Sequence, residues 1–73
     1  MNEQCTIRNG QSYATEDGLV VTITDLFAMN NLFGWKMRVN YTIDDGTRLY
    51  PESAWLGSFI KYLDDAGAEL ETK

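Results

Sequence analysis

The sequence has no histidine. This removes the side chain that most often acts as a general base, the commonest metal ligand and every histidine-dependent triad. Cys5 is its one cysteine, so neither an internal disulfide nor a thiolate-rich zinc site can be assembled from this chain. Apolar runs such as Leu19-Val20-Val21 fall far short of the roughly 20 residues a membrane-spanning helix needs. Cations are scarce: six Lys and Arg stand against eleven Asp and Glu, for a net charge of −5 over 73 residues. That balance disfavours duplex DNA, where phosphate neutralisation supplies most of the affinity. The opening Met1-Asn-Glu-Gln-Cys-Thr-Ile-Arg lacks an apolar centre, so no signal peptide is expected. With a lone thiol and no export signal, the expected compartment is the cytoplasm, which also sets aside the acceptor-like triplet Asn40-Tyr41-Thr42.

What remains is globular in composition: 44% apolar, 23% charged and 12% aromatic residues describe a chain that folds rather than one that stays disordered. One domain over 1–73 is expected, and a chain this short hides only about 60% of its unfolded surface. Residues 1–11 are polar, with Ile7 the single large aliphatic after Met1, and read as a flexible arm or a short edge strand. Asn9-Gly10 and Asp17-Gly18 are turn signals flanking a short strand over 11–15.

From Leu19 to Phe27 the chain is rich in residues branched at Cβ, with Leu19, Val21 and Ile23 on one face. Asp25 falls on that apolar face and Leu26-Phe27 follow out of phase, so a bulge is expected near Asp25. The segment Asn30–Gly34 reads as a loop carrying Leu32 and Phe33. Trp35, Met37, Val39, Tyr41 and Ile43 then alternate with Lys36, Arg38, Asn40 and Thr42, which predicts a strand with one buried and one wet face. A three-residue loop, Asp44 to Gly46, keeps apolar opposite apolar by pairing Ile43 with Thr47 and Tyr41 with Leu49. Pro51 suits the first turn of a helix, and Trp55, Leu56, Phe59, Ile60 and Leu63 follow as its apolar stripe. Gly57 is expected to pack closely on the sheet, Gly67 to stop the helix, and residues 68–73 to fray.

These elements predict an α+β fold: a small antiparallel sheet of about four strands with one C-terminal helix. It is either a partly open barrel of SH3-like character or a twisted sheet under the helix.

Catalytic chemistry finds little material. Ser12, Ser53, Ser58 and Cys5 have no histidine to activate them. Asp44-Asp45 and Asp64-Asp65 read as solvated charges rather than an acid–base pair or a calcium site. No catalytic residue, metal site, cofactor or small-molecule substrate is expected. Three surfaces are candidates for a macromolecular partner. The wet sheet face gathers Lys36, Arg38, Arg48, Asn40, Thr42 and Tyr50, a docking patch for an acidic protein or a stacking platform for a single strand. The loop offers Leu32 and Phe33 as anchors, and the N-terminal arm offers Ile7 and Arg8.

Over its full length the chain resembles the small transcription regulators of Xanthomonas-infecting phages that bind host RNA polymerase. The resemblance lies in the 73-residue length, the opening MNEQCTIRNG, the central GWKMRVNYTIDDGTRLY and the closing WLGSFIKYL. It implies a non-enzymatic protein of the host cytoplasm that binds bacterial RNA polymerase, inhibits initiation by interfering with sigma-factor engagement and can act as an antiterminator. A monomer is expected, with no membrane association and no direct nucleic-acid binding. Two rivals come from the residues themselves: an SH3-like nucleic-acid-binding module using Lys36, Arg38 and Arg48, and an acidic DNA mimic that inhibits a host defence nuclease through residues such as Asp64 and Glu71.

Overall fold

The computed structural model describes residues 7–71. Cys5 and the first six residues of the expected arm therefore lie outside the described residues. Five antiparallel strands and one helix follow in the order β1 (Ser12–Ala14), β2 (Val20–Asn31), β3 (Gly34–Asp44), β4 (Leu49–Trp55), α1 (Leu56–Asp65) and β5 (Glu69–Leu70). They form one open sheet, ordered β4-β3-β2-β1-β5, with the helix packed on one face.

The sheet is organised by the β2–β3 hairpin. Val21 pairs with Ile43, Ile23 with Tyr41 and Leu26 with Val39, all facing the helix. The register shifts between Ile23 and Asp25, so the bulge falls where the sequence places it. The extra residue, Thr24, restores the apolar phase: without it Leu26 would point to the wet side. Val21, Ile23 and Val39 are fully buried against Phe59 and Leu63 of the helix. Tyr41 lies over this layer, its ring 4.7 Å from that of Phe59 and 6.2 Å from that of Tyr62.

Several expectations are corrected. The strands run to Asn31 and restart at Gly34, so Asn30–Gly34 is a tight hairpin end rather than a loop. Leu32 and Phe33 form the turn, the Asn31 side chain accepts the Phe33 N–H at 2.8 Å, and Gly34 takes the left-handed conformation at φ +106°.

The β3–β4 connection has four residues, not three. Asp44 pairs with Leu49, Ile43 with Tyr50 and Tyr41 with Glu52. The reason is the Asp45 carboxylate, which accepts the Thr47 N–H at 2.9 Å, the Thr47 hydroxyl at 2.9 Å and the Arg48 N–H at 2.8 Å. The turn is thereby completed by a side chain, and the strand begins at Leu49, two residues later than hairpin patterning suggests. The parity of β4 flips with it: Tyr50 moves to the helix face, and Arg48 stays in the connection.

Pro51 is not at a helix start. It sits opposite Thr42 in β4, an edge strand, where a residue without an N–H is tolerated. Trp55 is the last residue of β4 and the extended N-cap of the helix, φ −67° and ψ 150°, with no side-chain capping bond. Gly57 meets nothing that a Cβ would touch, so its expected close packing is absent.

Gly67 does stop the helix. The Ala68 N–H reaches the Leu63 carbonyl at 2.9 Å and the Gly67 N–H reaches that of Asp64 at 3.1 Å, the two bonds of a Schellman end. Over 68–71 the chain then does not fray, and the last two residues of the expected frayed tail lie outside the described residues. Leu70 pairs with Tyr13 and Glu69 with Ala14, forming the fifth strand that the sequence reading missed.

The expected arm is likewise fixed over its described part. Ile7 is 8% exposed and belongs to the core, while the Gly10 N–H bonds the Ile23 carbonyl at 2.8 Å.

Candidate functional site

β3 pairs with β4 only as far as Arg38↔Trp55, and β1 pairs with β2 only along Val20–Thr22. Beyond those limits Ala28–Asn31 and Gly34–Met37 continue as a two-stranded ribbon, four pairs long and about 13 Å in reach at roughly 3.3 Å per residue. Among the described residues no other strand flanks its edges, and its side chains stand out into solvent. Leu32 is 96% exposed, Phe33 86% and Trp35 72%, with Met29 and Met37 also exposed. Alternation sets Trp35, Met37 and Ala28 on the helix side, Phe27 and Met29 on the opposite side, and Leu32 and Phe33 at the tip.

Charge is segregated in the same way. Between Leu26 and Ile43 the chain carries Lys36 and Arg38 and no carboxylate. All eleven Asp and Glu and the other four cations lie outside that stretch. An otherwise acidic molecule thus presents an apolar, basic projection.

Arg38 stands at the root of the ribbon on the face away from the helix. Its neighbours across the sheet are Phe27 on β2 and Trp55 on β4. The guanidinium lies 4.7 Å from the centre of the Trp55 ring, and its Nε donates to the Ser53 hydroxyl at 2.9 Å. This holds the side chain in one orientation, while no described carboxylate pairs with it. At the root, Lys36, Met37, Trp55, Leu56, Gly57 and Ser58 line a shallow groove of about 540 Å³.

The residues singled out from the sequence separate into three groups. Lys36, Arg38, Asn40 and Thr42 share the wet face as expected, and Leu32 and Phe33 are exposed, as anchors must be. Arg48 and Tyr50 leave that face, for the register reason given above. Arg48 lies past Asp44, about 20 Å along β3 from Arg38 at roughly 3.3 Å per residue. Ile7 is buried and offers nothing to a partner, while Arg8 is exposed. Sequence reasoning missed Trp35, Met37 and Trp55, which it assigned to strand or helix interiors, and did not count Met29 among its candidates. The signal available was the stretch from Leu26 to Trp35, which has no charged residue although it ends in a two-residue turn.

Among the described residues no three His, Cys, Asp or Glu side chains are placed to hold a metal ion. No helix among them is long and apolar enough to cross a membrane. No family model, curated protein or solved structure matches the chain.

Proposed function

We propose that this chain is a non-enzymatic binding protein that regulates bacterial RNA polymerase in the host cytoplasm. It inhibits initiation by interfering with sigma-factor engagement and acts as an antiterminator. The observation that carries a binding role is the concentration of exposed apolar side chains on one projecting ribbon, with Lys36 on it and Arg38 at its root. Monomeric proteins seldom leave such a patch in water unless it is used. The partner class comes from the resemblance to the phage regulators, carried in part by this chain's central segment GWKMRVNYTIDDGTRLY, which includes the ribbon's second strand. The physics asks for no chemistry: a protein that prefers one polymerase state shifts the equilibrium by its differential affinity. Burial of roughly 800 Å² of its own surface suffices when a few aromatic or Arg anchors lie at the centre.

The test is a titration of fluorescently labelled chain with purified Xanthomonas core polymerase and with the sigma-bound holoenzyme, paired with transcription from a sigma-dependent promoter. Expected are saturable binding, competition with sigma and fewer transcripts. Absence of binding to both enzyme forms removes the proposal.

One observation favours a second reading. Asp64, Asp65, Glu69 and Glu71 are all exposed at the helix end and β5, an acidic end suited to imitating a phosphate track. Competition with DNA for a host nuclease, lost on neutralising these four, would select the mimic. The SH3-like nucleic-acid module is weakened, since it relied on Lys36, Arg38 and Arg48 acting on one face.

A further inference from the structure

We infer that the β2–β3 ribbon docks tip-first into an apolar groove rimmed by carboxylates on a protein partner, with Leu32, Phe33 and Trp35 filling the groove and Lys36 and Arg38 meeting its rim. The inference deepens the function proposed above and rests on it only for the partner's name.

Four observations lead there. Among the described residues the tip carries the most exposed large apolar side chains, and it stands on a ribbon that no other described strand flanks. Apolar anchors that enter a dry pocket carry most of the binding energy of a protein interface. The cations sit behind the tip rather than on it, Lys36 opposite Met29 and Arg38 opposite Phe27. A partner that swallows the tip therefore brings its rim level with them. Finally, Trp55 and Ser53 already hold the Arg38 guanidinium, so little of its rotamer freedom is left to lose on binding a carboxylate.

Other occupants fit less well. Two cations can neutralise about two phosphates, which gives a salt slope near −2 and little affinity for nucleic acid in a chain of net charge −5. Pairing two copies ribbon to ribbon would bring Lys36 and Arg38 of both together. Inserting the ribbon into the acidic body of another copy would require an apolar groove there. Exposed Leu49, Tyr50 and Leu70 lie instead on two different edge strands of the sheet.

The experiment replaces Phe33, in the full chain, with a benzophenone-bearing photocrosslinking residue and irradiates Xanthomonas cells producing it. A chain with the same residue at Leu70 serves as the remote control. Crosslinked peptides are identified by mass spectrometry. Expected is a crosslink from position 33, and not from 70, to a segment in which Asp or Glu flanks apolar residues. Its yield should fall at least about tenfold in K36E/R38E and in L32S, while R48E leaves it unchanged. Dispersed amide proton spectra of each variant establish that it folds.

A polymerase segment with this composition would support both the ribbon and the proposed function. The same kind of segment on another protein would keep the ribbon and overturn the polymerase reading. Crosslinks to a second copy, to nucleic acid or to a segment without carboxylates, equal yields from 33 and 70, or none from 33, would overturn the ribbon.

Discussion

The Arg38 guanidinium packs 4.7 Å over the Trp55 ring, and these two residues are direct cross-strand neighbours at the last pair joining β3 to β4. The contact ties the end of the edge strand, the N-cap of the helix and the root of the ribbon into one point. A cation over an aromatic face at a partly exposed site contributes about 0.5–1 kcal/mol. Replacing Arg38 by Gln should cost roughly that much in urea unfolding. Lys, which keeps the charge but lacks the Nε donor to Ser53, should recover part of the stability and less of the partner affinity. Equal stability of wild type and R38Q would detach this contact from the fold.

Alkaline pH should loosen the helix from the sheet. Burial raises the Tyr41 hydroxyl above its ordinary value near 10, with Glu52 and Tyr62 adding to the rise, and burial raises Tyr13 and Tyr62 in the same direction. A raised folded-state value means that the neutral form is favoured by folding. Their contribution is therefore complete below pH 10 and is lost as pH climbs through the folded values. Melting temperature measured from pH 8 upward should hold and then drop above pH 10. In Y41F the drop should be shallower.

The β3–β4 turn should be sensitive to acid through Asp45. Backbone N–H groups of Thr47 and Arg48, then the Thr47 hydroxyl, hold its carboxyl below the ordinary carboxylate value. A depressed folded-state value contributes stability above the unfolded value, and this is lost as pH falls through the folded one. D45A should lower the melting temperature at pH 7, and D45N, which keeps one accepting oxygen, should lower it less. Titration of the Thr47 and Arg48 amide shifts should follow the same acid transition in wild type and be flat in D45A.

Gly67 should not tolerate a side chain. Its φ is +62°, and a Cβ there would run into the Glu16 side chain. G67A should cost more than about 1 kcal/mol in denaturant unfolding, the price of the left-handed backbone alone. G67A combined with E16A should regain the steric share and leave the backbone share. Full recovery would mean that the backbone conformation imposes nothing.

These sites also mark where the sequence was legible. The alternation from Trp35 to Ile43 and the phase slip at Asp25 reflect a buried face, and burial writes a strong pattern, so β2, β3 and the bulge could be read. The helix could be read from Phe59, Ile60 and Leu63, and its end from Gly67. β4 could not. As an edge strand its residues Leu49 to Ser53 are exposed, so nothing forces alternation there, and Pro51 imitates a helix start. The parity error that put Arg48 and Tyr50 on the wet face came from a turn closed by the Asp45 side chain, which backbone patterning does not contain. β5 has two exposed residues and exists because Tyr13 and Ala14 offer it an edge, a partner far away in sequence. The ribbon escaped notice because Trp35 and Met37 keep the alternation of a buried strand where no layer covers them.

The same architecture sets an order of assembly. The β2–β3 hairpin closes across two residues, so it can zip on the microsecond scale set by local hairpins. The β1–β5 pair must wait for the loop between Ala14 and Glu69 to close, with the helix in between. The projecting ribbon is therefore present before the sheet has both its edges. A chain stalled at that stage would display an uncharged strand from Leu26 onward beside an unfinished core, a template for strand pairing between chains. Refolding at high protein concentration should divert material into aggregates through this species, while the finished fold keeps neighbouring copies apart by its negative charge.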